Sequence, residues 1–320
     1  GAESVCARLL EPPSSQAVRH SITDLIDLGA LEHAGPNTER LTPLGVHLAA
    51  LPLSARIGKL ILLGSAFGLQ VLDWSLTVAA SLSVGSPLAS AFERKYEAQR
   101  MHRDFAEALA TGGLSCSDVL AALRAYNEWR QLGRGEGRAF CQKHFLKGSV
   151  LLDMSKTRDE LWDHLAQAGL VPRSRPRHRT NYGGVPEAGR RGSLTDNELA
   201  SVVGGLLCAA LFPQVVSVLP REDSMLARMG GDTRCGPVDL LVYTGSTTSK
   251  SSRSAVNTSG FSAVLIHPGS VSAREKMFGS PYLVYHELAR TAKDYVRDVT
   301  PVSPLALTLF AGALSCIARS

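Results

Sequence analysis

SPYLVYHELARTAKDYVRDVTPVSPLAL, running from Ser280 to Leu307, decides how the last third of this 320-residue chain folds. Two short runs in it, Tyr282–His286 and Tyr295–Asp298, are rich in aromatic and β-branched residues, which suit a pleated, half-buried surface. Prolines at 281, 301 and 304 punctuate them. Three further runs of the same kind lie upstream, at Val215–Leu219, Val238–Tyr243 and Ala263–Ile266. Five short strands separated by turn residues predict a small Greek-key barrel over residues 194–320. A polar, low-complexity segment, Gly245 to Gly260, falls between two of these strands and is expected to project into solvent.

Before the barrel the hydrophobic period changes from two to three or four. Ala17 to Leu28 carries Val18, Ile22, Leu25 and Ile26 at helical spacing, with Ser14-Ser15 before it and Gly29 as a stop. Its polar face holds Arg19, His20 and acids, a composition that favours packing over reading a nucleic-acid groove. From Ala55 to Trp74 one helical face collects Ile57, Leu60, Ile61, Phe67 and Val71, and LTVAASLSV after it is apolar nearly all round. Such a helix belongs inside a bundle. Phe92, Tyr96, Phe105 and Leu109 alternate with charges in the next segment, and Ser117-Asp118 caps a helix that reaches Trp129. The expected fold class is therefore α+β and multidomain: a partial winged helix over 1–54, a helical bundle over 55–171, a linker over 172–193, and the barrel.

Composition narrows the possibilities. A hydrophobic content of 44% is that of a folded chain with proper cores. The formal net charge of +5 is concentrated in one place, because Arg173, Arg175, Arg177, Arg179, Arg190 and Arg191 face Glu187 alone between Val171 and Ser193. That stretch reads either as a flexible spacer or as a sequence-independent RNA contact. Six scattered cysteines without a C-x-x-C pair argue against zinc and for a reducing, intracellular compartment. No apolar run approaches the roughly 18 residues that span a bilayer, so no membrane partner is expected. The histidines show no H-E-x-x-H or other paired ligand spacing, and the acids are spread along amphipathic helices, so no catalytic residue and no metal site are assigned.

The Ser280–Leu307 stretch closely resembles the closing motif of DEAH/RHA-type RNA helicases. Val264–Val271 (VLIHPGSV) and Asn197–Val218 resemble earlier pieces of that family's C-terminal OB-fold, and Phe140–Val171 resembles the end of its helical ratchet domain. At His144 the family usually has asparagine. Leu10–Glu32 and Leu41–Leu53 resemble the late part of its winged helix. The barrel is thus expected to be an OB-fold, and the whole chain the tail of a longer helicase. A motor needs a Gly-rich loop ending in Gly-Lys-Ser/Thr and a carboxylate for magnesium, and the chain has no GKS, GKT or DEAH string. ATP and magnesium are therefore expected in motor domains outside it, with no cofactor in this fragment and no ATP hydrolysis by it alone.

The resemblance implies single-stranded RNA, the motor domains of the same protein and a glycine-rich activator protein as partners, the last touching the winged helix. Single strands are gripped by cations along the phosphates and by aromatic platforms for the bases. Candidate nucleic-acid contacts are Arg290, Thr291 and Lys293 in a loop, with Tyr285, His286 and Arg297 beside it and His267 and Ser270 at a barrel rim. The same residues have a plainer reading, in which Tyr282 and Tyr285 are core and Arg297-Asp298 is an internal ion pair. Arg100, Arg103 and Lys143 are further bundle residues that the resemblance would turn toward RNA. A second function, a non-catalytic scaffold that uses these domains to hold proteins in a ribonucleoprotein assembly, stays open.

Overall fold

The computed structural model describes residues 1–35, 38–90, 93–110, 115–174, 194–220, 238–243, 261–275, 277–291 and 293–311. The arginine-rich stretch from 175 onward and the Gly245–Gly260 loop lie outside them.

The N-terminal region packs a short helix α1 (Ala2–Cys6) and α2 (Ser15–Asp27) beside an antiparallel hairpin, β1 (Leu31–Gly35) and β2 (Thr38–Leu41), followed by α3 (Pro43–Ala49). Ser14 caps α2 by accepting from Ala17 N–H, and Thr42 caps α3 by accepting from Gly45 N–H. A small core of Leu28, Ala30 and Leu48 holds this winged helix together, while Leu10 is fully exposed.

Among the described residues seven helices follow: α4 (Ala55–Ala66), α5 (Leu69–Val84), α6 (Lys95–Glu107), α7 (Asp118–Arg130), α8 (Arg134–Lys143), α9 (Gly148–Gln167) and, after the arginine stretch, α10 (Asp196–Leu211). The single face expected from Ala55 to Trp74 is divided. Gly68, at φ +98°, ends α4 and opens α5, and Phe67 is left 52% exposed instead of joining the core. Helix α5 is buried on every side, as its apolar sequence requires. Helix α10 packs against α4 and α5, so that one core runs from Leu60, Trp74 and Leu120 through Leu206 and Leu207 to Val284 and Val302.

The C-terminal region is sheet-rich but not one closed barrel of five strands. Strands β3 (Val215–Pro220), β4 (Val238–Tyr243), β5 (Phe261–Ala263), β7 (Tyr282–Val284) and β10 (Thr300–Pro301) form an antiparallel sheet in the order β10-β7-β3-β4-β5. β6 (Leu265–Ile266), β8 (Glu287–Arg290) and β9 (Asp294–Arg297) form a second sheet in the order β6-β9-β8. The run Ala263–Ile266 breaks at Val264, whose N–H turns to Leu240 O, so its two halves serve different sheets. Val216, Val242, Leu283, Tyr285 and Val296 fill the space between them. A further helix, α11 (Pro304–Phe310), lies against α10.

Candidate nucleic-acid interface

β8 and β9 form a hairpin whose register pairs Glu287 with Arg297 at its base and Arg290 with Asp294 at its tip. The two ends are three residues apart, or about 10 Å along a strand. At the tip, Arg290, Thr291 and Lys293 are all exposed. Thr291 Oγ1 and backbone N–H both donate to Lys293 O, which closes the turn and sets the directions of its side chains. Arg290 and Lys293 have no ion-pair partner within 4 Å among the described residues.

At the base, Arg297 reaches both ways. Nη1 is 3.7 Å from Glu287 Oε2, and Nη2 is 3.2 Å from His267 Nε2. His267 Nδ1 accepts from Gly269 N–H at 3.1 Å, and its ring meets the edge of Tyr295. Burial first, then the adjacent Arg297 guanidinium, holds the His267 pKa below the ordinary value. A neutral ring has a single acceptor nitrogen, so it can accept from Gly269 N–H or from the Arg297 guanidinium but not from both, and a doubly protonated ring can accept from neither.

Other candidates lie deeper. Ser270 is 6% exposed and spends its hydroxyl on Asp118, so it does not stand free at the rim. Tyr285 is 5% exposed within the sheet core, where burial raises its phenol pKa against the pull of Arg56 and Arg290. The plainer reading of Tyr285 as core therefore describes its position. His286 is half-buried, its pKa lowered by burial, and its Nδ1 finds no hydrogen-bond partner. Arg297 pairs with Glu287, not with the neighbouring Asp298. Asp298 instead turns the chain at φ +53°.

The bundle contributes a stripe on α6. Tyr96, Gln99, Arg100 and Arg103 stand at i, i+3, i+4 and i+7, the spacing of one helical face. Gln99 Nε2 donates to Pro268 O, Arg103 pairs with Glu275 at 3.6 Å, and Tyr96, 73% exposed, lies under the Arg274 guanidinium at 4.0 Å. The loop from His267 to Glu275 thus rests on α6, and the rim pair His267–Arg297 lies along that seam. Lys143 is exposed on α8, and no contact joins it to the rim. Sequence reading missed Tyr96, Gln99 and Arg274 as partners. Their helical spacing was visible in the sequence, but not the loop they grip.

The joint also involves α7. Ser117 Oγ caps that helix by accepting from Leu120 N–H and also contacts Thr300 Oγ1 at 2.8 Å. Asp118, fully buried, accepts from Ser270 Oγ at 2.7 and 2.9 Å, from Val271 N–H at 2.8 Å and from Val299 N–H at 3.0 Å. Its own N–H donates to Val299 O. Burial pushes this carboxyl up to about 7, even though three donors favour its ionised form. Among the described residues there is no cluster of three metal-ligating side chains, no helix is long and apolar enough to cross a membrane, and Cys6, Cys116, Cys141 and Cys208 are free thiols.

Comparison with known proteins agrees with this layout. Residues 21–53 match the winged-helix part of the helicase-associated domain (HA2), 54–139 its ratchet-like part, and 203–314 the oligonucleotide/oligosaccharide-binding (OB)-fold. Over 97% of its length the chain is 39% identical to the human protein DHX57, 36% to the DExH-box ATP-dependent RNA helicase DExH1 of Arabidopsis thaliana, and 32% to the human ATP-dependent DNA/RNA helicase DHX36. It spans 21% of the first and 26% of the other two. With the three domains in this order and the chain itself aligned over nearly its whole length, the chain belongs to the DEAH/RHA helicases as their C-terminal, helicase-associated region.

Proposed function

We propose that this region forms part of the wall of a single-stranded RNA channel in an ATP-dependent helicase and docks against the motor domains of the same protein. The observation that carries this reading is the β8–β9 hairpin, which holds Arg290 and Lys293, both exposed and, among the described residues, without an ion pair, beside a rim of His267 and Arg297 on the α6 seam. Cations on a fixed turn next to aromatic rings are what a phosphate backbone and its bases require. The motor supplies ATP and magnesium chemistry, and this region supplies grip.

The test is photocrosslinking of a single-stranded uridine oligonucleotide to the chain, with the crosslinked peptides mapped. Crosslinks within 280–300 support the wall. Stable protein partners without such crosslinks would favour the scaffold reading, in which the winged helix docks a glycine-rich activator. ATP hydrolysis by the pure chain would contradict the division of labour.

A further inference from the structure

We infer that Asp118 is a positioning residue, whose carboxylate ties together the two segments of the OB region that carry His267 and Arg297 and so fixes that rim pair against the bundle. Its meaning for RNA rests on the reading above; the geometry does not. One carboxylate on α7 reaches Ser270 and Val299, which lie 152 and 181 positions further along the chain. On one side it holds Ser270 and Val271, three and four residues after His267. On the other it holds Val299, two residues after Arg297, where the left-handed turn at Asp298 aims the Val299 N–H inward.

The remaining contacts at the joint point the same way. Ser272 N–H donates to Ser270 Oγ at 3.0 Å, Ser272 Oγ donates to Cys116 O, and Thr300 meets Ser117. Ser117, Asp118, Ser270, Ser272 and Thr300 are all at least nine-tenths buried. At this burial a lost partner is not readily replaced, which favours one seat for the loop and one position for its rim. The α6 contacts through Gln99 and Arg103 grip the outer edge of the same loop. Asp118 holds its root.

The experiment compares the 320-residue chain with its Asp118→Asn variant, which keeps the shape but replaces one acceptor oxygen by a donor. Carbon-13-labelled histidine reports the His267 ring by NMR. The expected result is a rise of the His267 titration midpoint by about half a unit or more, as the ring leaves burial and Arg297, together with about three- to tenfold weaker binding of a uridine oligonucleotide. If that variant fails to fold, Ser270→Ala removes one donor while leaving both backbone bonds, and the same shift is expected in smaller measure. An unchanged His267 titration in either folded variant would overturn the proposal. His267→Ala and Arg297→Gln separate the two readings. If they leave RNA affinity unchanged while Asp118→Asn moves the ring, the positioning stands and the RNA role of the rim falls.

Discussion

Two aspartates, Asp73 partly and Asp118 fully buried, hold this molecule together, and they do so by different physics. Asp73, inside the bundle, meets Arg158 through a short bond from Nη2 to its Oδ1, and Arg130 lies 3.5 Å from its Oδ2. Arg158 is 2% exposed, also donates to Tyr126 Oη, and stacks its guanidinium over the Tyr126 ring. Burial lowers the Arg158 pKa, but the Asp73 charge and the hydrogen bonds outweigh it and the net shift is upward. Asp118, at the joint between bundle and OB region, has only neutral donors around it. At the first site a charged partner balances the carboxylate. Donors alone leave the second near its titration point at neutral pH.

The sharpest way to break the comparison is to remove one partner from each site. Arg158→Met takes the buried partner from Asp73 and leaves it Arg130 at 3.5 Å, and should cost about 3 kcal/mol in urea unfolding. Asp118→Ala leaves two backbone N–H groups and the Ser270 hydroxyl unpaired, a loss of about 2–4 kcal/mol. Because three of the lost bonds join bundle to OB region, the second variant should also split a single unfolding transition into two. A single transition in both variants would mean that the two joints are energetically alike.

The pH response separates them next. The Asp118 carboxyl titrates near its ordinary 3.8 in the unfolded chain and near 7 in the folded one, so the folded state holds an extra proton between those values. Its contribution is fully present below the lower value and is lost as pH rises through the upper. The one charged neighbour raising it further is Asp298. Wild type should therefore lose stability relative to Asp118→Asn between about pH 4 and pH 8. The Arg158→Met variant should show no such window against wild type around neutrality.

Smaller effects probe the surface. Arg290→Gln and Lys293→Gln should each lower the slope of log affinity against log salt for single-stranded RNA by about 1, without touching stability. Tyr96→Ala should cost less than about 1 kcal/mol, because an exposed cation–π pair with Arg274 is weak. A larger loss would show that the α6 seam rivals the Asp118 joint.

Much of the fold was legible before any coordinates. The caps at Ser14 and Ser117, the buried character of α5 and the β-prone runs near 215, 238, 282 and 295 all follow from local residue chemistry. Phe67 and Tyr96 were not, since each has the right period for a core face yet lies where Gly68 turns the chain or where the loop ends. Of the candidate contacts, the hairpin tip is as exposed as its polar sequence implies, whereas Ser270 and Tyr285 went inward. A serine after His-Pro-Gly looks like any rim hydroxyl until its partner is known.

By itself the sequence determined the order of the domains, many of the helices and strands within them, and the family to which the chain belongs, because those depend on periodicity, capping and motif. The split of the strands between two sheets, the seat of the 267–275 loop on α6, and the conversion of a helix-start aspartate into the pin of the joint were decided only in the tertiary structure. Each of these depends on which donor meets which acceptor between segments well separated in the chain, and no local pattern encodes that meeting.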